Sequence, residues 1–234
     1  MNNKNGLTEL KDTFNNNALP VLTDFVEVGV DQILNDGLFK DIPIVSAAVS
    51  AFKIGKSVSE YFYMKKMNIF VEEVNKNIID SERIEEYKRK IISDQKRLDR
   101  DIKFIIAIID KYMGLFKPKL LARLFLSYLD KSMGQEQFFE YSEIIDRLLI
   151  SDLKCLYYFL TNTGIVKNEN TVEIASVLRL QSVGFVERNN QLTWGSFDSE
   201  HNTEFDYVIT DSGIKLATLL EKELEEIITE DLFA

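Results

Sequence analysis

The sequence predicts a mainly α-helical protein with a small β-hairpin near its C-terminal end. Over most of the chain, apolar residues recur at intervals of three and four, as they do on one face of a helix. Residues 204–210 instead carry apolar side chains at every second position, namely Phe205, Tyr207 and Ile209, which is typical of a half-buried strand. Hydrophobic residues make up 45% and charged residues 28% of the chain, a composition that excludes a disordered or wholly membrane-embedded protein.

Helix-end signals locate the first predicted helices. Residues 22–34 show helical spacing, and Gly37 follows them where a helix C-terminus favours glycine. Ser57 and Glu60 match a capping box, which predicts that a helix starts there after another ends at Gly55. One bent helix through this point is the alternative.

Further helices are predicted up to residue 150. The stretch 81–113 changes from charged to densely apolar, which indicates a helix whose second half enters a core. Pro118 suits the start of the next helix, and Gly134 suits its end. An amphipathic helix then covers 137–150, and its expected core residues are Phe138, Phe139, Ile144, Ile145 and Leu148.

The segment 42–63 has an unusual composition, because residues 42–52 carry no charge and are rich in Ala, Ser and Val. A membrane-spanning helix needs about 20 apolar residues, so this run is too short to cross a bilayer. Small residues favour close helix packing, which predicts a buried element of a helical domain. The alternative is a membrane or partner segment, since lysines and tyrosines follow it, and the protein would then be a membrane-acting effector that uses residues 42–63. Its candidate residues are Ile44, Val45, Val49, Phe52, Lys53 and Lys56.

From residue 151 onward, helices alternate with short strands. Gly184 ends the second of these helices, and a final helix starts with a cap at Asp211 or Ser212. The predicted helices are SDLKCLYYFLT and TVEIASVLRLQSV, and the predicted strands are IVKN, FVER, LTW and EFDYVIT, with NNQ as the turn between FVER and LTW. This change of pattern divides the chain into a helical domain, 1–148, and a second domain, 149–234. No Ser/Pro-rich linker separates them, so we expect the two domains to pack together.

The C-terminal pattern resembles a winged-helix domain. The order is helix, strand, helix, β-hairpin and closing helix, and the runs GFVERN and YVITDSGIKLATLLE resemble the wing and last helix of many bacterial winged-helix domains. This resemblance implies a winged-helix-like fold for 149–234. It also implies, as one function, DNA recognition through the helix over 171–183. Fold alone does not decide the function, however.

The charge of the same region disfavours DNA binding. Residues 141–234 hold 7 basic and 17 acidic side chains, whereas residues 81–140 hold 13 basic and 10 acidic ones. Affinity for DNA derives largely from neutralised phosphates, yet residues 189–214 contain no lysine or arginine. We therefore predict a protein-binding surface, with a DNA-binding transcriptional regulator as the alternative. The candidate interaction residues are Arg179, Glu173, Asp198, Glu200, Glu204 and Asp206.

Residue types that carry enzyme chemistry are scarce. The single cysteine, Cys155, falls on a predicted core helix with no evident basic partner to lower the pKa of its thiol, and the single histidine, His201, falls in a polar loop. One cysteine excludes an intrachain disulfide and a cysteine-rich zinc site. The sequence contains no phosphate-binding loop, GxSxG, HExxH or EF-hand pattern. We predict no catalytic residue, no cofactor and no metal, and hence no enzyme.

Most of the chain resembles a loosely defined group of bacterial and phage proteins. The matching segments are IPIVSAAVSAFKIGKSVSEYFYMKKMNIF, KPKLLARLFLSYLDKSMGQEQFFEYSEIIDRLLISDL and the winged-helix-like part. The resemblance implies a helical domain before a winged-helix-like one, and a regulatory role such as one in host–phage conflict. It transfers no functional residue. Because MNNKNGLTELKD lacks the apolar core of a signal peptide, we expect a cytoplasmic protein that binds another protein, with homo-oligomers left open.

Overall fold

The computed structural model describes residues 58–77, 89, 94–162, 165–166, 173–189 and 207–230. These residues are mainly helical and form eight helices and three short strands. Contacts divide the chain into two compact units, Met1–Ser142 and Glu143–Ala234, which we call the N-terminal and C-terminal units. Among the described helices, none has the length and apolar character needed to cross a membrane.

Four helices precede the division or cross it, and the rest follow. The helices are α1 (Val58–Lys76), α2 (Gln95–Lys111), α3 (Lys117–Leu129), α4 (Gln135–Arg147), α5 (Ile150–Thr161), α6 (Ile174–Ser182), α7 (Asp211–Leu219) and α8 (Glu221–Glu230). The strands are β1 (Ile165–Val166), β2 (Val186–Arg188) and β3 (Tyr207–Ile209). The predicted helix over 22–34 and residues 42–57 lie outside the described part of the chain.

Local signals mark the ends of several of these helices. Helix α1 covers Val58–Lys76 among the described residues. The predicted capping-box residue Ser57 lies outside them, so the predicted start of this helix stays a prediction. Pro118 lies in the first turn of α3, as expected. Helix α2 starts at Gln95, where the Asp94 carboxylate accepts a hydrogen bond from the Arg97 backbone N–H at 3.1 Å.

The core of the N-terminal unit is formed where α1 packs against α3 and α2. Its buried side chains are apolar and come from all three helices: Met67, Phe70, Val71, Val74, Ile105, Ile108, Ile109, Leu120, Leu121, Leu124 and Phe125. Rings extend this core toward α4, since Tyr128 and Phe138 stack with centroids 5.3 Å apart. Burial of this apolar surface is the main force that holds the helices together.

A buried carboxylate also joins helices of this unit. Asp101 of α2 is fully buried, and its oxygens accept hydrogen bonds from the Tyr128 hydroxyl, at 2.9 Å, and from the Gln135 amide. Arg97 in turn donates to the Tyr128 oxygen at 2.6 Å, and Arg100 donates to the Gln135 amide oxygen. Burial raises the pKa of Asp101, and the hydrogen bonds and the two guanidinium charges oppose that rise.

The C-terminal unit is organised around α5, which contacts α6, α7, α8 and β3. The strands form one antiparallel sheet in the order β1-β3-β2, with Ile165 opposite Val208 and Val186 opposite Ile209. The FVER strand, β2, pairs with β3. The predicted return strand LTW, residues 192–194, lies outside the described part of the chain, so its pairing stays a prediction.

The turn after α6 follows the prediction for Gly184. This glycine has φ 77°, a left-handed conformation that glycine adopts at low cost. The Phe185 N–H donates to the Leu180 carbonyl and the Gly184 N–H donates to the Gln181 carbonyl, both at 3.0 Å, which is the Schellman pattern. The helix therefore ends where the sequence indicated.

The end of the chain departs from the prediction in two ways. Thr210, and not Asp211 or Ser212, caps α7, because its hydroxyl oxygen accepts a hydrogen bond from the Gly213 N–H at 3.1 Å. The Thr210 O–H also donates to the Gly184 carbonyl at 2.7 Å. The single predicted final helix is two helices that break at Leu220. The break lets both α7 and α8 contact α5 while Leu220 itself is fully buried.

Gly213 allows the close approach of α7 to the turn after α6. A methyl group at this position would lie 2.2 Å from the Phe185 carbonyl oxygen and 2.8 Å from Ile209 Cγ1. We expect Gly213→Ala to lower the free energy of unfolding by about 1–3 kcal/mol in urea denaturation, because backbone must shift. Ser212→Ala, at the exposed neighbouring position, should change it by less than about 0.5 kcal/mol. Equal stabilities of the two variants would contradict this packing.

Candidate functional site

The outward face of α6 is the first component of the candidate site. Ser176, Val177 and Leu180 point inward and are buried. Ile174 and Leu178 lie one turn apart on another face of the helix and are 51% and 50% exposed. Two large apolar side chains thus stay in contact with solvent on a nine-residue helix.

The second component is an ion pair beneath that face. Asp152, near the start of α5, is fully buried. The Arg179 Nε lies 2.9 Å from both carboxylate oxygens, and its Nη2 lies 2.8 Å from Oδ1. Asp152 also accepts a hydrogen bond of 2.8 Å from the Leu149 N–H, and the Arg179 Nη2 donates to the Ser176 hydroxyl at 3.2 Å. The guanidinium is therefore fixed between α5 and α6.

The electrostatics keep both partners charged. Burial raises the pKa of Asp152, but the hydrogen bonds from Arg179, the Leu149 N–H and Ser176, together with the Arg179 charge, outweigh it and hold the pKa below its ordinary value. The same bond to Asp152 raises the pKa of Arg179. At neutral pH, the pair is a carboxylate and a guanidinium.

The predicted interaction residues fall in different places. Arg179 has 36% of its side chain exposed but is held by Asp152, and Glu173 is exposed directly before α6. The other predicted residues of this surface, Asp198, Glu200, Glu204 and Asp206, lie outside the described residues. The same holds for the whole candidate membrane or partner set, namely Ile44, Val45, Val49, Phe52, Lys53 and Lys56.

The structure confirms that Cys155 is buried. Burial, and secondarily the Asp152 charge, raise the pKa of its thiol to about 12. The thiol is therefore protonated at neutral pH and is a poor nucleophile. His201 lies outside the described residues, and within the described ones no group of three His, Cys, Asp or Glu side chains could hold a metal ion.

The exposed pair Ile174 and Leu178 was missed by sequence reasoning. The sequence analysis predicts a helix over TVEIASVLRLQSV but does not say which of its apolar residues face solvent. A signal was nevertheless present, because this helix has more apolar residues than one face can hold. Val177 and Leu180 are buried, whereas Ile174 and Leu178 are exposed.

Known proteins provide no further constraint on this site. No protein-family model, curated protein or solved structure matches the chain significantly. The candidate site is therefore defined by two features of this chain, the exposed pair on α6 and the ion pair between Asp152 and Arg179.

The ion pair makes a testable contribution to stability. Arg179→Leu leaves a buried carboxylate without its cation, so it should lower the free energy of unfolding at pH 7 by more than the loss of a surface ion pair does. Asp152 has a lowered pKa in the fold, so its stabilisation is present above the unfolded value of about 3.9 and is lost as pH falls through the folded pKa. The free energies of unfolding of Arg179→Leu and the wild type should therefore differ less in acid than at pH 7.

Arg147→Leu is the matched control for this measurement. Arg147 is exposed, and its Nη2 lies 3.9 Å from Glu143 in a surface pair, so its loss should cost less than about 0.5 kcal/mol. Chemical denaturation of both variants between pH 7 and pH 3 gives the comparison. If Arg179→Leu is as stable as Arg147→Leu at pH 7, the pair does not hold α5 and α6 together.

Proposed function

We propose that the C-terminal unit is a winged-helix-like domain that binds a protein, and that the chain is a non-enzymatic interaction or regulatory protein. The element order α5, β1, α6, β2, β3, α7 supports this fold. So does the sheet, in which β3 lies between its hairpin partner β2 and the earlier strand β1. Helix α6, directly before the hairpin, takes the position of the recognition helix in this arrangement.

The observation that carries the function is the apolar outer face of α6. A recognition helix that reads DNA presents side chains able to hydrogen-bond base edges or phosphates. Here Ile174 and Leu178 are half exposed. The one basic residue of α6, Arg179, already donates to Asp152. Exposed apolar side chains favour a protein partner, because their burial at an interface stabilises a complex.

The charge around this face indicates the chemistry of the partner. Glu173 before α6 and Glu187 on β2 are exposed, and residues 141–234 hold ten more acidic than basic side chains, 17 against 7. A partner with apolar side chains surrounded by lysines and arginines would be complementary. A second copy of the same face would bring like charges together, so we favour a different protein.

The other parts of this proposal rest on fewer observations. The protonated thiol of Cys155 supports a role without covalent catalysis. The resemblance to bacterial and phage proteins supports a regulatory role in such an organism, in host–phage conflict for example. We do not favour the alternative of a DNA-binding regulator, because the acidic charge of the unit opposes phosphate binding.

Duplex DNA provides the first test. We expect the dissociation constant for random duplex DNA at physiological salt to be weaker than about 10⁻⁴ M, the weak end of non-specific binding. Fluorescence anisotropy measures it. Gln181→Glu is the diagnostic variant, since this exposed position on α6 adds a negative charge without breaking the Asp152 pair. Tight, salt-sensitive binding that Gln181→Glu abolishes would replace our proposal with the DNA-binding regulator.

The second test examines the partner directly in the native host. The double variant Ile174→Asp, Leu178→Asp should retain less than about a tenth of the partner captured by the wild type, since buried apolar anchors dominate interface energies. Ile214→Asp, at an exposed isoleucine of α7, is the matched control and should capture as much as the wild type. A photo-crosslinking residue at position 178 should join the same partner covalently.

The double variant also decides between outcomes. Retention of every captured protein by the α6 variant would show that this face is not the binding surface. If sedimentation gives a dimer that the α6 variant loses, the partner is a second copy, and our inference from charge is wrong. Circular dichroism of each variant confirms that the fold is kept.

A further inference from the structure

The turn between α2 and α3 exposes an apolar side chain at one end of the N-terminal unit. Met113 is 82% exposed, more than any other large apolar residue of the described chain. Gly114 follows with φ 81°, which reverses the backbone toward α3. Leu115 and Phe116, the last residues before α3, are partly exposed. The turn therefore presents apolar side chains at its outer edge.

A second exposed apolar residue lies at the same end. The Lys66 ammonium of α1 donates to the carbonyl oxygens of Asp110, at 2.7 Å, and Tyr112, at 3.1 Å. These carbonyls belong to the C-terminus of α2 and to the residue before Met113, where a cation is favourable. Phe62 precedes Lys66 by one helical turn and is half exposed. The hydrogen bonds thus place Phe62 at the end of the unit that carries Met113.

Lysines surround these apolar side chains. Residues 62–66 and 110–119 contain five lysines and one acidic residue, Asp110. Lys65 and Lys111 are exposed, and the Lys119 ammonium lies 5.6 Å from the centre of the Phe116 ring. The other two lysines are buried and make contacts within the protein. Lys66 donates to the two backbone carbonyls, and the Lys117 ammonium lies 5.9 Å from the centre of the Tyr112 ring. The local charge is therefore positive in a protein whose net charge is −10.

We propose that Phe62, Met113, Lys65, Lys111 and Lys119, which we call the apolar tip, bind the surface of an anionic lipid membrane. Apolar side chains that enter the headgroup region and lysines that attract anionic lipid together give reversible surface binding. No spanning helix is required. This site lies in the N-terminal unit, so it is independent of the protein-binding face on α6.

The shape of the tip favours lipid over a protein partner. A protein hot spot needs an anchor seated in a complementary pocket that excludes water. Met113 instead projects from a turn, with charged lysines nearby, and a bilayer interface accepts such a side chain without a preformed pocket.

Flotation of the full-length protein with vesicles tests the tip. We expect the wild type to float with vesicles of phosphatidylcholine containing about one third phosphatidylserine, and not with phosphatidylcholine alone. Raising the ionic strength from about 0.1 M to 1 M shortens the Debye length from about 10 Å to about 3 Å, so binding should weaken. A wild type that does not float, or that floats equally with neutral vesicles, would overturn the proposal.

Matched variants locate the site. Phe62→Ser combined with Met113→Ser should reduce the partition coefficient by about tenfold or more, since each side chain loses apolar burial. Ile228→Ser, at an exposed isoleucine of α8, should leave it unchanged. Lys65→Glu with Lys111→Glu should abolish binding, whereas Lys215→Glu with Lys222→Glu, at exposed lysines of the C-terminal unit, should not.

Two further results separate binding from misfolding. Met113→Ser alone alters a residue that packs on little, so its melting temperature should match the wild type while its flotation falls. Met113→Trp should float more strongly, because tryptophan favours the membrane interface. Unchanged flotation in the folded Met113→Ser and Met113→Trp variants would show that the tip does not contact lipid.

Discussion

The ion pair between Asp152 and Arg179 is the constraint on which the C-terminal unit depends. A carboxylate with no exposed surface is costly unless its charge is matched and its oxygens are hydrogen-bonded. Arg179 supplies both, and the Leu149 N–H adds a further bond. Helix α5 contacts α6, α7, α8 and β3, and α6 contacts β2. Fixing α6 on α5 therefore also fixes α6 relative to the sheet. The cost is that the one cation of α6 is withdrawn from its outer face.

The N-terminal unit uses buried polar groups in the same way. Asp101 joins α2 to α3 through Tyr128 and to the start of α4 through Gln135. Lys66 joins α1 to the end of α2 by its bonds to backbone carbonyls. In each case a charged side chain is buried at a helix junction and is unavailable to solvent. The surface charge of the unit therefore depends on which charged side chains are buried between helices, as well as on composition.

The sequence was sufficient where the signal was local. Pro118 in the first turn of α3 and the Gly184 turn after α6 each depend on residues within one helical turn. It was insufficient where partners are distant along the chain. Asp152 and Arg179 are 27 positions apart, and the Thr210 hydroxyl, besides capping α7, donates to the Gly184 carbonyl, 26 positions away. Periodicity also could not show that the final helix breaks at Leu220 so that two helices reach α5.

The uneven charge of the chain gives its two candidate surfaces different preferences. An anionic bilayer attracts the lysines at the end of the N-terminal unit but repels an excess of carboxylates such as that of residues 141–234. The apolar pair on α6 is therefore poorly suited to lipid, although each of its side chains is exposed to about the same fraction as Phe62. Conversely, a partner with a basic rim is attracted to α6 and repelled by the lysines around Met113. Similar apolar side chains can thus select a protein in one unit and a membrane in the other, because the surrounding charge differs in sign.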